Sequence, residues 1–153
     1  MGKQREVELD VSMQVRLAKL GDVAALSSLT AELGYPASVT EMTTRLSALL
    51  ARTDHAVFVV EHAQNVVGWL HVGEVLSLES APFAVIGGLV VAEGQRGAGR
   101  GRALVSAAEQ WAVARAYGKI RVRSNSMRVE ARQFYEKLAF VVTKNQNVFD
   151  KLL

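Results

Sequence analysis

Residues 93–104, EGQRGAGRGRAL, constrain what this chain can fold into more than any other stretch of it. Gly97, Gly99 and Gly101 stand at alternate positions between Arg96 and Arg102, and a helical pattern of apolar residues begins at once. Glycine costs conformational entropy, so such a run suits a backbone that must turn sharply or come close to a ligand. The amides that open a helix have no intrahelical partner and sit at the positive end of its dipole. Glycines would leave those amides bare, and Arg96, Arg100 and Arg102 would add charge at the same mouth. The pattern therefore suits a pyrophosphate cradle. Without a ligand, the same residues read as a flexible turn before an arginine-rich, solvated helix end.

Two other phosphate motifs fail on spacing. A Walker loop ends in Gly-Lys-Ser/Thr, where this chain has Gly101-Arg102-Ala103. A dinucleotide fingerprint is G-x-G-x-x-G directly after a first strand, whereas G-x-G-x-G falls late here, after an antiparallel meander.

Composition narrows the chemistry. The 153 residues suffice for one domain with a real core, and the absence of cysteine removes disulfides, thiolate zinc sites and any cysteine acyl-enzyme. His55, His62 and His71 show no paired metal spacing, so no metal is expected; they read as structural or solvent-facing residues, His71 lining a strand face. A net charge of +3 suits an anionic small ligand as well as nucleic acid. The charged start MGKQREVELD is not a signal peptide, and the run Phe83–Ala92 is too short to cross a bilayer. A cytoplasmic protein without membrane partner is the expectation.

Periodicity places the elements. Residues 1–12 read as an N-terminal arm and 13–153 as a single domain. The segment 13–19 alternates as a strand. Asp22 can cap a helix running to Gly34, and Ser38 with Glu41 forms a capping box for a second helix. Segments 56–61 and 66–76 read as antiparallel strands, and 83–91 as a buried strand. A long helix follows over 99–117 with Leu104, Ala107, Ala108, Trp111 and Ala114 inward, then a strand at 119–124 and a helix at 128–138. The segments FVVTK and NVFDKLL would close as a hairpin. The fold class is mixed α/β with a largely antiparallel sheet.

The run R-x-x-G-x-G, Arg96 to Gly101, after LVV and opening a long helix, resembles the signature of the GNAT family of N-acetyltransferases. The stretch GGLVVAEGQRGAGRGRALVSAAEQWA is similar to the acetyl-CoA half of that fold. ARQFYEKLAF (131–140) resembles its later helix motif, and RVRSNSMR its intervening strand and asparagine. LTAELGYP and the combination AEQWA, SNSMR and FYEKL further resemble the branch that includes aminoglycoside acetyltransferases. The resemblance implies a central sheet of six to seven strands flanked by about four helices.

The resemblance also implies roles. Leu89, Val90 and Val91 would lend backbone groups to the pantetheine arm of acetyl-CoA. Arg96, Gly97, Ala98, Gly99, Arg100, Gly101 and Arg102 would hold its pyrophosphate, and Asn125 would reach the cofactor from the end of its strand. Tyr135 would protonate the leaving thiolate. On pattern alone Tyr135 shares a stripe with Ala131, Phe134 and Leu138, so it reads equally as a core residue. Trp69 and Trp111 read as core.

Two departures from the family stand out. Ala139 replaces the usual glycine after leucine. No carboxylate occurs between Glu79 and Glu93, where many relatives carry a glutamate base near Val85. Glu32, Glu74 and Glu79 are the remaining candidates. The implied activity is acetyl transfer from acetyl-CoA to a primary amine of a small molecule or peptide, by direct attack in a ternary complex. The alternatives are a non-catalytic acyl-CoA-binding module of this fold and, less favoured for want of interleaved aromatics, a basic nucleic-acid binder. Nucleic acid is not an expected partner; a homodimer is left open.

Overall fold

The computed structural model describes residues 13–124 and 129–153. The arm 1–12, together with Asn125 and Arg128, lies outside the described residues. The chain divides into two compact units, Met1–Val122 and Arg123–Leu153.

The first unit is built on a sheet whose strands neighbour one another in chain order: β1 (Met13–Leu17), β2 (His55–His62), β3 (Asn65–Val75), β4 (Phe83–Val91) and β5 (Ile120–Val122). The first four pair antiparallel, and β5 runs parallel to β4. A parallel return needs a crossover. It is made by α3 (Arg100–Ala114). Between β1 and β2 lie a 3-10 turn (Leu20–Asp22), α1 (Val23–Glu32) and α2 (Val39–Leu50).

Strand alternation sorts the two faces. Val57 and Val59 of β2 pack with Leu26 of α1, Leu46 of α2 and, partly buried, Trp69 of β3. Phe58, between them, turns to the other face and lines a cavity with Leu17 and the α3 residues Ala107 and Trp111. The helices α1 and α2 thus cover one face and α3 the other. Val59, Val60, Leu70, Val72, Leu104 and Val105 are fully buried between these layers.

Local chemistry fixes several ends as expected. Ser38 Oγ accepts from the Glu41 amide at 3.0 Å and Glu41 Oε1 from the Ser38 amide at 3.2 Å, completing the capping box of α2. Other expectations change. Asp22 does not cap α1 with its side chain; its carboxylate is drawn to Arg16 at 2.8 and 2.9 Å and to the Lys19 amide at 2.9 Å. The buried stripe of α3 is Leu104, Val105, Ala108 and Ala112, with Ala114 exposed and Trp111 half-buried over the cavity.

The second unit contains α4 (Val129–Lys137), none of whose residues is fully buried. The expected closing hairpin is not formed: residues 140–153 carry neither helix nor strand. Val141, Val148 and Phe149 are 80%, 82% and 89% exposed. Two strands alone are marginal in water, and the turn residues Asn145, Gln146 and Asn147 lack the glycine that tight hairpins favour. Five strands, rather than six to seven, are therefore found among the described residues, with four α-helices, α1 to α3 in the first unit and α4 in the second.

Candidate functional site

The loop between β4 and α3 is shaped by left-handed glycines. Gly97 and Gly99 have φ of +81° and +80°, values that L side chains rarely adopt. A β-carbon on either would meet nothing within 4 Å, so the glycines serve backbone conformation and open space rather than close packing. Gly99 is the N-cap of α3, and the Ala103 amide donates to its carbonyl at 3.0 Å. That bond is the first of the helix, so the amides of Gly101 and Arg102 precede the intrahelical ladder. The loop thus delivers bare backbone, with an open space before it, to the positive end of a long helix.

The three arginines divide in role. Arg100 is only 5% exposed, and its Nη1 donates to the Gln95 carbonyl at 3.1 Å. Its position explains this, because Arg100 heads the buried i, i+4 stripe that continues through Leu104, Ala108 and Ala112. Arg96 is exposed and donates from Nε to the Val91 carbonyl at 3.1 Å. Arg102 is exposed at the start of the helix. The expected block of surface charge is therefore smaller than the sequence suggests: Arg100 latches the loop from inside.

Beside the loop, one edge of β4 is left unpaired by β5. The parallel ladder covers only Ala84 to Ile86. The Ala92 amide donates to the Val67 carbonyl at 2.8 Å, so Ala92 faces β3. Strand alternation then turns Val90 toward Trp69 and leaves the N–H and C=O groups of Leu89 and Val91 on the other edge. The Arg96 contact with the Val91 carbonyl is made on that edge. Of the three residues expected to meet a pantetheine arm, Leu89 and Val91 turn their backbone groups to this edge, while those of Val90 belong to the ladder with β3.

The bend that frees this edge is a β-bulge. His71 pairs with Gly88 and Val72 with Ile86, so Gly87 is the extra residue. Gly87 and Gly88 are required by close approach. A β-carbon on Gly87 would lie 2.9 Å from His71 Nδ1, and one on Gly88 2.7 Å from Trp69 Cη2.

His71 also meets His55, which sequence reasoning left as isolated residues. His71 Nε2 and His55 Nδ1 are 2.9 Å apart, with the rings stacked at 5.2 Å and 24°. Burial, reinforced by the neighbouring His55, lowers the His71 imidazole below its ordinary 6.5. Behind His55, Asp54 Oδ1 lies 3.9 Å from His55 Nε2. Arg52 grips Asp54 with two hydrogen bonds, of 2.8 and 2.7 Å, and holds its carboxyl below the usual range.

The expected bases are occupied or remote. Glu32 Oε1 accepts the Glu93 amide at 3.1 Å, Glu74 takes part in a hydrogen bond with Tyr117, and Glu79 is exposed in the segment before β4. Tyr135, in the second unit, is half-buried with Phe134 and Phe140 edge-on at 5.0 and 5.6 Å. Burial raises its hydroxyl above the ordinary 10.0, so it is a neutral donor at physiological pH. Asn125 lies outside the described residues. No group of three or more His, Asp or Glu side chains able to hold a metal occurs among the described residues. None of their helices is long and apolar enough to cross a membrane.

Residues 23–140 match the Acetyltransferase (GNAT) family. The chain belongs to that family. Its GNAT fold recurs in solved structures of low sequence identity. A transcriptional regulator from Bacillus halodurans C-125 is 21% identical, with a TM-score of 0.81 over 91% of this chain and 99% of the other. The aminoglycoside N-acetyltransferase AAC(6')-Iy in complex with CoA is 15% identical, with a TM-score of 0.82 over 91% and 94%. An aminoglycoside acetyltransferase, meta-AAC0020, from an uncultured soil metagenomic sample in complex with sisomicin is 20% identical, with a TM-score of 0.80 over 95% and 99%. No curated protein sequence matches the chain. The loop at 92–99 and the free β4 edge both lie within the matched span.

Proposed function

We propose that this GNAT protein transfers acetyl from acetyl-CoA to a primary amine of a small molecule or peptide. The observation that carries the reading is the junction of β4 and α3. Left-handed Gly97 and Gly99 feed bare amides to a helix N-terminus, next to a strand edge that still has groups to give. The pyrophosphate would take the amides from Gly97 through Arg102, with Arg102 as the charged side chain. The pantetheine arm would extend the sheet along Leu89 and Val91. Asn125 would contact the cofactor, and Tyr135 would donate its proton to the departing sulfur. The chain holds no cysteine, so attack by the amine is direct rather than through a cysteine acyl-enzyme.

Structural relatives bound to CoA and to sisomicin support the substrate classes. A second reading, an acyl-CoA-binding module without catalysis, draws on the absence of any carboxylate from β4. The nucleic-acid reading loses ground because Arg100 is turned inward. A panel of aminoglycoside, polyamine and lysine-peptide acceptors with acetyl-CoA, read by release of free thiol, tests the main reading. Calorimetric binding of acetyl-CoA without turnover on any of them would favour the second. Loss of both would remove the cradle itself.

A further inference from the structure

Two histidines from neighbouring strands meet above a pair of glycines, beside the part of β4 where the free edge begins. Room for them is made on purpose by the backbone: a β-carbon on Gly73 would collide with the His55 ring, and one on Gly87 would press on His71 Nδ1. Two neutral imidazoles whose nitrogens are 2.9 Å apart share one hydrogen. Their other two nitrogens lead in different directions. His71 Nδ1 lies over Gly87, two residues before Leu89, with no β4 side chain at Gly87 or Gly88 to cover it. His55 Nε2 faces Asp54.

We propose that the His55–His71 pair is the proton acceptor of the transfer reaction, with His71 Nδ1 the atom that takes the proton of the acceptor amine. The inference rests on reading the site as an acetyl-CoA cradle. It supplies the base that β4 lacks.

The tautomers that serve this role follow from the geometry. His71 carries its hydrogen on Nε2 and donates it to His55 Nδ1; His55 carries its own on Nε2, toward Asp54. His71 Nδ1 takes a proton from the acceptor's ammonium nitrogen, and the lone pair so freed forms the C–N bond to the thioester carbon. The C–S bond breaks, and the sulfur leaves with that electron pair. The second proton shed by the nitrogen balances the one the sulfur takes up. His71 Nε2–H then passes to His55 Nδ1, and His55 Nε2–H to solvent on the Asp54 side. Nothing is oxidised or reduced; the pair returns to neutrality in the opposite tautomers, which are restored when solvent reprotonates His55 Nε2, the transfers run back and His71 Nδ1 releases its proton.

The charged groups that bear on the pair are Asp54 and, through it, Arg52. On β4, Gly87 lies against His71, and Val85, opposite Gly73, shares the face of the pair without bringing charge. Arg121 of β5, paired with Val85, has its guanidinium over the Phe83 ring, and on β3 Glu74 is turned to the opposite face, with Tyr117. Asp54 stays ionised beside Arg52 and favours a transient imidazolium at His55. Burial keeps His71 neutral, and so able to accept, at physiological pH.

The test compares wild type with His71→Gln and His55→Gln across pH, using the amine that turns over fastest in the acceptor panel. His71→Gln keeps a donor in reach of His55 and cannot take a proton. Wild-type kcat/KM should rise to a plateau with a midpoint below 6.5. In His71→Gln it should fall about 100-fold, lose that midpoint and climb with pH toward the amine's own pKa. Acetyl-CoA affinity by calorimetry should not change. His55→Gln should lose about 10-fold and shift the midpoint. A wild-type rate and profile in His71→Gln overturns the proton role alone. Wild type that fails to bind acetyl-CoA overturns the cradle and the role together, and binding without turnover overturns catalysis. Nitrogen NMR of the wild-type histidines gives a check that needs no variant: neutral His71 should be protonated at Nε2, and protonation at Nδ1 instead refutes the proposal.

Discussion

Arg100 Nη1 donates to the Gln95 carbonyl at 3.1 Å, tying the first turn of α3 to the loop that feeds it. A hydrogen bond from a buried charged group is worth about 1.5–3 kcal/mol. Arg100→Ala should therefore lower Tm clearly. Arg102→Ala, on the exposed side, should leave Tm alone and weaken acetyl-CoA binding by roughly 5- to 30-fold, with a flatter salt dependence. Melting curves and calorimetry at two salt concentrations read both effects. Equal melting of the two variants would contradict the division of roles.

Gly99 and Gly101 test the cradle in different ways. Gly99→Val forces a β-branched residue to φ near +80°, adding strain of about 1–3 kcal/mol. Gly101 lies within the helix, so Gly101→Val should melt no earlier than wild type. Both should lose acetyl-CoA affinity by about 2–4 kcal/mol, roughly 30- to 1000-fold, because the side chain stands where phosphates approach. Unchanged affinity in folded Gly101→Val would dismiss the assignment.

Tyr135→Phe keeps the ring packing against Phe134 and Phe140 and removes only the hydroxyl. If the hydroxyl protonates the leaving thiolate, kcat falls about 100-fold at unchanged acetyl-CoA affinity. A full kcat with a lowered Tm would make Tyr135 a packing residue.

The Arg16–Asp22 pair should govern part of the acid stability. Hydrogen bonds from Arg16, more than any other contact, hold the Asp22 carboxyl below its ordinary 3.8. A folded-state pKa below the unfolded one means that this stability is present above about pH 4 and is lost as pH falls through the lower, folded value. Asp22→Asn should cost about 1–3 kcal/mol at neutral pH and flatten the loss of Tm below pH 4. An Asn variant whose Tm keeps the wild-type slope in acid would show that other carboxylates carry the effect.

Two helices end on alanines in a conformation that favours glycine. At the end of α3, Ala116 has φ +60° and the Tyr117 amide donates to the Ala112 carbonyl at 3.1 Å. After α4, Ala139 has φ +68° and the Phe140 amide donates to the Tyr135 carbonyl at 3.0 Å. Both are Schellman ends. Ala116→Gly and Ala139→Gly should each stabilise by roughly 0.5–1 kcal/mol, the left-handed strain relieved less the entropy glycine adds to the unfolded chain. Denaturant titration measures it, and a lowered midpoint would refute it.

The features legible in the sequence are those whose causes are local along the chain. The capping box of Ser38 and Glu41 needs only a three-residue spacing, and the bounds of β4 at Phe83 and Val91 follow from one apolar run. The glycines at 97 and 99 announce their backbone because no other residue takes that conformation cheaply. Where phase mattered, the sequence was less decisive. A helix turns by about 100° per residue, so a small rotation of the inward face of α3 keeps Leu104 and Ala108, exchanges Ala107, Trp111 and Ala114 for Val105 and Ala112, and carries Arg100 inward.

The histidine pair belongs wholly to the tertiary structure. Near the β2–β3 turn, Glu61 pairs with Val66. Carried on unbroken, that register would set His71 opposite Ala56 and put His55 and His71 on opposite faces of the sheet. A bulge at Val67 shifts the pairing by one, so that Val57 meets His71 and Gly73 meets His55. Because side chains alternate with period two, that single extra residue brings both imidazoles to one face. The composition supplied two histidines sixteen residues apart; only the register of two strands made them neighbours.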